Sequence, residues 1–167
     1  MKKHRIRPTA LIFREDQILL IEYEENGEFH YNLPGGGLKK GELLMDGLSR
    51  EVYEEACIHI ETGSIAFVYE FNPNKQSGDY DPETKPSIHI IFECTLNAEE
   101  EPKLPAKPDP NQTAVRWMPL SKLKTIVLYP NIADHILDYY SNRRSIELLE
   151  DYKLASYGTL TDPSASF

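Results

Sequence analysis

The stretch from Pro34 to Ile58 constrains this chain more than any other. Within LLMDGLSREVYEEACI, Leu43 to Ile58, apolar Met45, Leu48, Val52 and Ala56 recur at helical spacing, which predicts a helix with one buried stripe. Glu51, Glu54 and Glu55 fall at i, i+3 and i+4, so their carboxylates project from one neighbouring side. Like charges so spaced repel one another. A helix that buries its stripe therefore carries an acidic edge, read either as a solvated face or as a cation site. Crowded carboxylate oxygens suit hard divalent cations such as Mg²⁺ or Mn²⁺.

Three glycines, Gly35-Gly36-Gly37, run into this helix. Gly35, Gly37 and Gly41 have one residue too many for the dinucleotide-binding GxGxxG, and no Gly-Lys-Ser/Thr follows to make a phosphate loop. What remains is a tight turn. Its spacing to the acidic residues is specific: Gly36, five residues, Glu42, seven residues, Arg50-Glu51-Val52, one residue, Glu54-Glu55, two residues, Ile58. Six fixed identities at such spacing arise by chance on the order of once in ten million starting positions.

This pattern resembles the Nudix box, the signature of the Nudix hydrolases. One position departs: the family normally has glycine before the last hydrophobic residue, and this chain has Cys57. Glycine there suits a left-handed helix C-cap, so cysteine either bears a steric cost or ends the helix differently. The resemblance covers roughly Arg5 to Arg144. It implies an α/β fold, the Nudix-type α/β/α sandwich with a mixed β-sheet flanked by helices. It also implies hydrolysis of a nucleoside diphosphate linked to another group X, by water attack on phosphorus, with Mg²⁺ or Mn²⁺ as cofactor. Carried over by position, Glu51, Glu54 and Glu55 are metal ligands, the main-chain carbonyl of Gly35, or alternatively Gly36, joins them, and Glu42 at the edge of the site helps hold the metal shell or the loop. Arg50 steadies the carboxylates through ion pairs with Asp46 and Glu54, each four residues away.

The general base stays open. Many relatives carry Glu five residues before the Trp of a late strand, and here that position is Gln112, whose amide takes no proton at neutral pH. Glu93, or one of Glu99, Glu100 and Glu101, is the alternative carboxylate. Glu54 and Glu55 complete the catalytic candidates. Tyr23, Phe29, Tyr31 and Phe71 are candidates to stack a base, with the core as their competing location. Pro73, fifteen residues beyond the box, lies near a proline common in ADP-ribose pyrophosphatases, which favours ADP-ribose or a related sugar nucleotide. Nucleoside triphosphates and dinucleoside polyphosphates remain open, as does a nucleotide-binding module without turnover.

Composition limits partners. With 27 acidic against 18 basic residues and net charge −9, the chain lacks the basic footprint of a general nucleic-acid binder. A small anionic nucleotide is still admitted, because a bound cation reverses the local field. Cys57 and Cys94 form no disulfide framework, which fits a reducing cytoplasm. No stretch reads as a secretory signal or membrane span. Monomer and homodimer both remain open.

The rest of the chain predicts strands at Ile6–Phe13, Ile18–Tyr23, Phe29–Leu33, Ser64–Phe71, Ser87–Leu96 and Thr113–Met118. Asn72–Pro86 and Asn97–Asn111 read as loops, and Leu120–Ile126 as a short helix. Asn131–Arg144 reads as a longer helix with Pro130 in its first turn. Residues 1–144 form a single domain, and Ser145–Phe167 a tail, helical to Leu154 or disordered.

Overall fold

The computed structural model describes residues 3–75, 83–97, 99–143, 148–151 and 154–156. Two adjacent strands, β1 (Arg5–Arg14) and β2 (Gln17–Glu25), are apolar at nearly every central position, so both faces of the sheet must be covered. Alternation along them sorts the core into two clusters. Ala10, Ile12, Leu19 and Ile21 meet Leu48, Val52 and Ala56 of helix α1 (Leu44–Ala56). Leu11, Ile18 and Leu20 meet the opposite layer, made by a 3₁₀ helix (Leu120–Thr125) and helix α2 (Ala133–Asn142). The result is an α/β/α sandwich.

The remaining strands are β3 (Glu28–Asn32), β4 (Ile60–Phe71), β5 (Ser87–Leu96), β6 (Gln112–Pro119), β7 (Leu128–Tyr129) and β8 (Leu148–Glu150). Their order is β7-β3-β2-β1-β5-β4-β8, with β6 also on β2. The pairs β1–β5, β3–β7 and β4–β8 are parallel and the others antiparallel, so the sheet is mixed.

One irregularity positions the site. β1 pairs with β2 only at Phe13↔Ile18 and Arg14↔Gln17, and beyond that the strands diverge. The chain after β3 fills the fork. Ala10 N–H donates to Pro34 O at 2.8 Å, Gly36 N–H to Pro8 O at 3.2 Å, and Leu38 N–H to Ile6 O at 3.1 Å. The glycine turn is thus pinned along β1, beside α1.

Burying Leu48 and Val52 completely contributes about 1.5–3 kcal/mol each. Neighbouring like charges on a helix cost only ~0.2–0.5 kcal/mol per pair. Packing therefore wins, and the acidic edge is carried along. Met45 is not part of the stripe: it is 52% exposed, and partly buried Leu44 takes the contact instead.

Other boundaries differ from expectation for identifiable reasons. β4 starts at Ile60 rather than Ser64, because two bulges, at Thr62/Ile65 and Ile65/Phe67, let it keep pairing with β5 through the glycine-containing stretch. Pro130 lies before α2, not in its first turn; Ile132 is the N-cap and Ala133 the first helical residue. Within the expected tail, Leu148–Glu150 forms a strand on β4 instead of a helix. Residues 76–82 of the long loop and 157–167 of the tail fall outside the described residues.

Candidate active site

Each glycine of the turn cedes the place of its missing Cβ to a different neighbour. At Gly35, with φ +148°, a Cβ would stand 2.4 Å from Pro8 O, so β1 backbone fills that space. At Gly36 it would stand 2.2 Å from Glu51 Oε2, and at Gly37 2.8 Å from Arg5 Nη2. The turn therefore admits a strand, a carboxylate and a guanidinium against one short run of backbone.

The helix supplies the acidic groups. Glu55 is 7% exposed; its Oε2 accepts from Gly35 N–H at 2.8 Å and its Oε1 from the Tyr23 hydroxyl at 3.4 Å. Burial pushes its carboxyl up to about 8; Glu51 and Asp109 add to this, while the Gly35 N–H and Arg7 oppose it. Such a group favours a cation beside it. Arg50 is the hub of the other carboxylates: it bonds Glu42 Oε1 at 2.7 Å, Glu51 Oε1 at 2.8 Å and Glu54 Oε2 at 3.0 Å. It also donates to Gly37 O at 3.2 Å, joining helix to turn. Asp46 is not among its partners in the described residues; Glu42 takes that role. Lys39 N–H donates to Glu42 Oε2 at 2.9 Å, and Glu42 is held at about 2, chiefly by Arg50.

The turn's C-terminal partner is Cys57. It adopts the left-handed conformation, φ 57°, and its N–H donates to Tyr53 O at 3.0 Å. The helix thus ends as a glycine would end it, with the steric cost borne by cysteine. Gln112 Nε2 donates to Glu55 O at 2.8 Å, and its Oε1 accepts from Asp109 N–H at 3.2 Å. It anchors the loop before β6 to the last turn of α1 and brings Asp109 electrostatically near Glu55.

A model of the NUDIX domain matches residues 3–139. The chain belongs to the NUDIX family. It is 28% identical over 116 residues to a MutT-like protein of Streptomyces ambofaciens, covering 69% of this chain and only 64% of that protein. It is 23% identical to phosphatase NudJ of Escherichia coli K12, covering 91% of this chain and 94% of that one. A MutT protein structure from Methanosarcina mazei superposes with TM-score 0.65 at 25% identity, covering 86% of this chain and 98% of the other.

Nudix hydrolases use a divalent metal, and the Nudix helix here has the donors for one. Glu51, Glu54 and Glu55 offer hard oxygens, and the space beside Gly36 is filled by the Glu51 carboxylate. Among the described residues, no three His, Cys, Asp or Glu side chains converge on a ready cage. Arg50 is the carboxylates' counter-ion here, so the fit is to a cation that shares them with Arg50.

Other expected residues lie elsewhere. Glu93 pairs with Leu11 on the α2 face, where it meets the Tyr139 hydroxyl and, at 3.3 Å, Arg143; strand alternation turns it away from the Nudix helix. Glu100 bonds His59, just past α1, and Glu101 bonds Arg14 at the end of β1, so both are committed, and Glu99 is exposed. Tyr31 and Phe71 are core residues, 4% and 6% exposed, rather than a stacking surface. Tyr31 donates instead to the buried Glu22, at 3.1 Å. Tyr23 does reach Glu55. It also stacks on His30, centroids 5.2 Å apart, which meets Tyr129 at 4.9 Å, so a row of rings leads away from the carboxylates. Phe29, 37% exposed, pairs with Glu24 on β2 and has no ring contact among those described.

Arg5, Arg7 and Asp109 are not among the residues that the sequence pattern picks out. The signal for the arginines was available: Arg-x-Arg on a strand puts both side chains on one face. Asp109 sits in a proline-rich loop whose path no local pattern specifies.

Proposed function

We propose that the chain is a pyrophosphohydrolase that cleaves a diphosphate linkage in a nucleoside diphosphate bound to a group X. Mg²⁺ or Mn²⁺ is its cofactor, and ADP-ribose or a related sugar nucleotide leads as substrate. One observation carries the reading: Glu51 and Glu55 meet the glycine turn directly, Glu51 in the space beside Gly36 and Glu55 on Gly35 N–H.

Glu51, Glu54 and Glu55 would hold the metal, with the Gly35 carbonyl beside them. When bound, a divalent ion neutralises phosphate charge and lowers the pKa of an attached water. Glu42 and Arg50 keep the carboxylate array and the turn in register. Gln112 fixes the end of the helix that carries Glu55. Tyr23 and the rings beside it offer a surface for a base. The sugar-nucleotide preference rests on this chain's own Pro73 and that ring row.

A panel of nucleoside diphosphate sugars, triphosphates and dinucleoside polyphosphates, incubated with Mg²⁺ or Mn²⁺ and resolved by chromatography, tests the reading. Release of a nucleoside monophosphate and phosphorylated X is expected. Binding without cleavage across the whole panel would replace it with a binding module.

A further inference from the structure

The described arginines divide into two groups. Arg14, Arg50, Arg116 and Arg143 each pair with a glutamate, within 3.3 Å. Arg5 and Arg7 pair with none among the described residues. In a chain with 27 acidic residues, two guanidinium groups side by side without a carboxylate need explaining. Like charges repel, and the half-buried Arg7 has given up part of its hydration as well.

Their placement is specific. Both project from β1, two residues apart and hence on one face. Arg5 lies against Gly37, and Arg7 Nη2 donates to Gly35 O at 3.4 Å, the guanidinium's one hydrogen bond among those described. Across the sheet their register partners are Ser87 and His89, which bond each other at 3.2 Å. Burial, together with Arg7 and Arg5, drives His89 down to about 3, so its ring is neutral and adds no third charge. Arg7 also lies within electrostatic reach of Glu55 and Glu51, without a contact of ion-pair length to either. The glycine turn thus has carboxylates on Gly35 and Gly36 and, on Gly35 and Gly37, guanidinium groups with no carboxylate partner among the described residues.

Guanidinium forks match phosphate oxygens in geometry, and each such charge-assisted bond is stronger than a neutral one. We propose that Arg5 and Arg7 form a binding site for a substrate phosphate other than the one held at the carboxylates. The proposal rests on the diphosphate-hydrolase reading for its choice of ligand. One phosphate of the diphosphate sits at the Glu51/Glu55 side of the turn, the other on the arginine pair. Recognition is then of the diphosphate itself, whatever X is.

Inorganic pyrophosphate is the probe, titrated calorimetrically into the full chain in EDTA, so that neither metal nor turnover enters the measurement. Wild type binds, and binding weakens as salt is raised. Arg7→Ala and Arg5→Ala each weaken it by about 10- to 100-fold. Arg14→Ala, which removes a cation already paired with Glu101, leaves it unchanged. Arg5 is exposed and its side chain makes no described hydrogen bond, so Arg5→Ala tests the site even if Arg7→Ala fails to fold. Unchanged affinity in folded Arg5→Ala, or an equal loss in Arg14→Ala, overturns the proposal. A chain that hydrolyses nothing but binds pyrophosphate through these arginines would sink the enzymatic reading alone.

Discussion

Gly36 and Glu51 are in contact through an absent atom: a Cβ on the glycine would stand 2.2 Å from Glu51 Oε2 and 2.3 Å from its Cδ. Since real Cβ atoms do not approach that closely, alanine here must displace the carboxylate. Gly36→Ala is expected to lower kcat/KM by about 100-fold or more, the usual scale of displacing a catalytic group by an ångström. Gly27→Ala is the control. Its φ of +84° makes alanine strained, costing about 1 kcal/mol, but nothing lies within 4 Å of the new atom. Steady-state kinetics on both variants, with thermal melts alongside, separates loss of the site from loss of stability.

Glu55→Gln should separate function from folding in the opposite sense. The metal-free protein keeps an acid there that burial pushes up to about 8, so ionising it opposes the fold. A folded pKa above the unfolded one makes this group's stabilising contribution fall as pH rises from about 4.5 to about 8. An amide of the same shape removes that dependence. Turnover is expected to drop about a thousandfold, for a metal ligand worth several kcal/mol in the transition state. The melting temperature in EDTA at pH 8 should hold or rise. A variant that melts well below wild type under those conditions contradicts the assignment.

Cys57→Gly restores the residue that the left-handed C-cap prefers. Relief of the Cβ strain is expected to stabilise the chain by about 1 kcal/mol in urea unfolding, with kcat unchanged within a factor of two or so. A loss of activity would mean that the thiol has a role beyond ending the helix.

His89 gives a pH signature of its own, opposite in sign to that of Glu55. Burial, helped by Arg7 and Arg5, holds it at about 3, against 6.5 for a free imidazole. The unfolded chain therefore binds the extra proton over that interval, and this contribution to stability is complete above pH 6.5 and lost as pH falls towards 3. In a Glu55→Gln background, which removes the opposite slope of that carboxyl over the same interval, urea unfolding between pH 7 and 5 should show a downward slope of up to about 1.4 kcal/mol per pH unit from this group. His89→Asn should flatten it.

The buried glutamate of β2, Glu22, tests the sandwich rather than the site. Glu22 is 4% exposed and accepts from Arg116 at 2.9 Å and Thr113 at 3.0 Å as well as from Tyr31. Burial pushes its carboxyl up, but these donors outweigh that and hold it below the usual range. Arg116 is half exposed, so Arg116→Ala should cost about 1–2 kcal/mol rather than the full value of a dry ion pair. Denaturant midpoints for Arg116→Ala and Glu22→Gln check this.

Local pattern carried much of the architecture. The helix, both flanking layers and the spacing of Glu51, Glu54 and Glu55 follow from periodicity and from one motif. What did not follow depends on contacts made at a distance. The direction of Glu93 is set by the β1–β5 register, which pairs it with Leu11, and a ten-residue strand does not announce its register. Tyr31 looked like a stacking ring because a strand sequence does not say which face holds the second layer. Helix arithmetic pairs Arg50 with Asp46, but Glu42, from outside the helix, is its partner at 2.7 Å. The weak tail signal concealed a strand, since Leu148–Glu150 pairs with an edge supplied eighty residues earlier, at Val68–Glu70.

That edge has a further consequence. By lying along β4, β8 occupies peptide groups that would otherwise be open to another polypeptide, and Asp151 beyond it accepts a hydrogen bond from Tyr69 at 2.8 Å. Cutting the chain before Leu148 would expose a seam of backbone donors and acceptors on the flank of the molecule. Self-association through that seam, sheet continuing into sheet, is the form its failure would take.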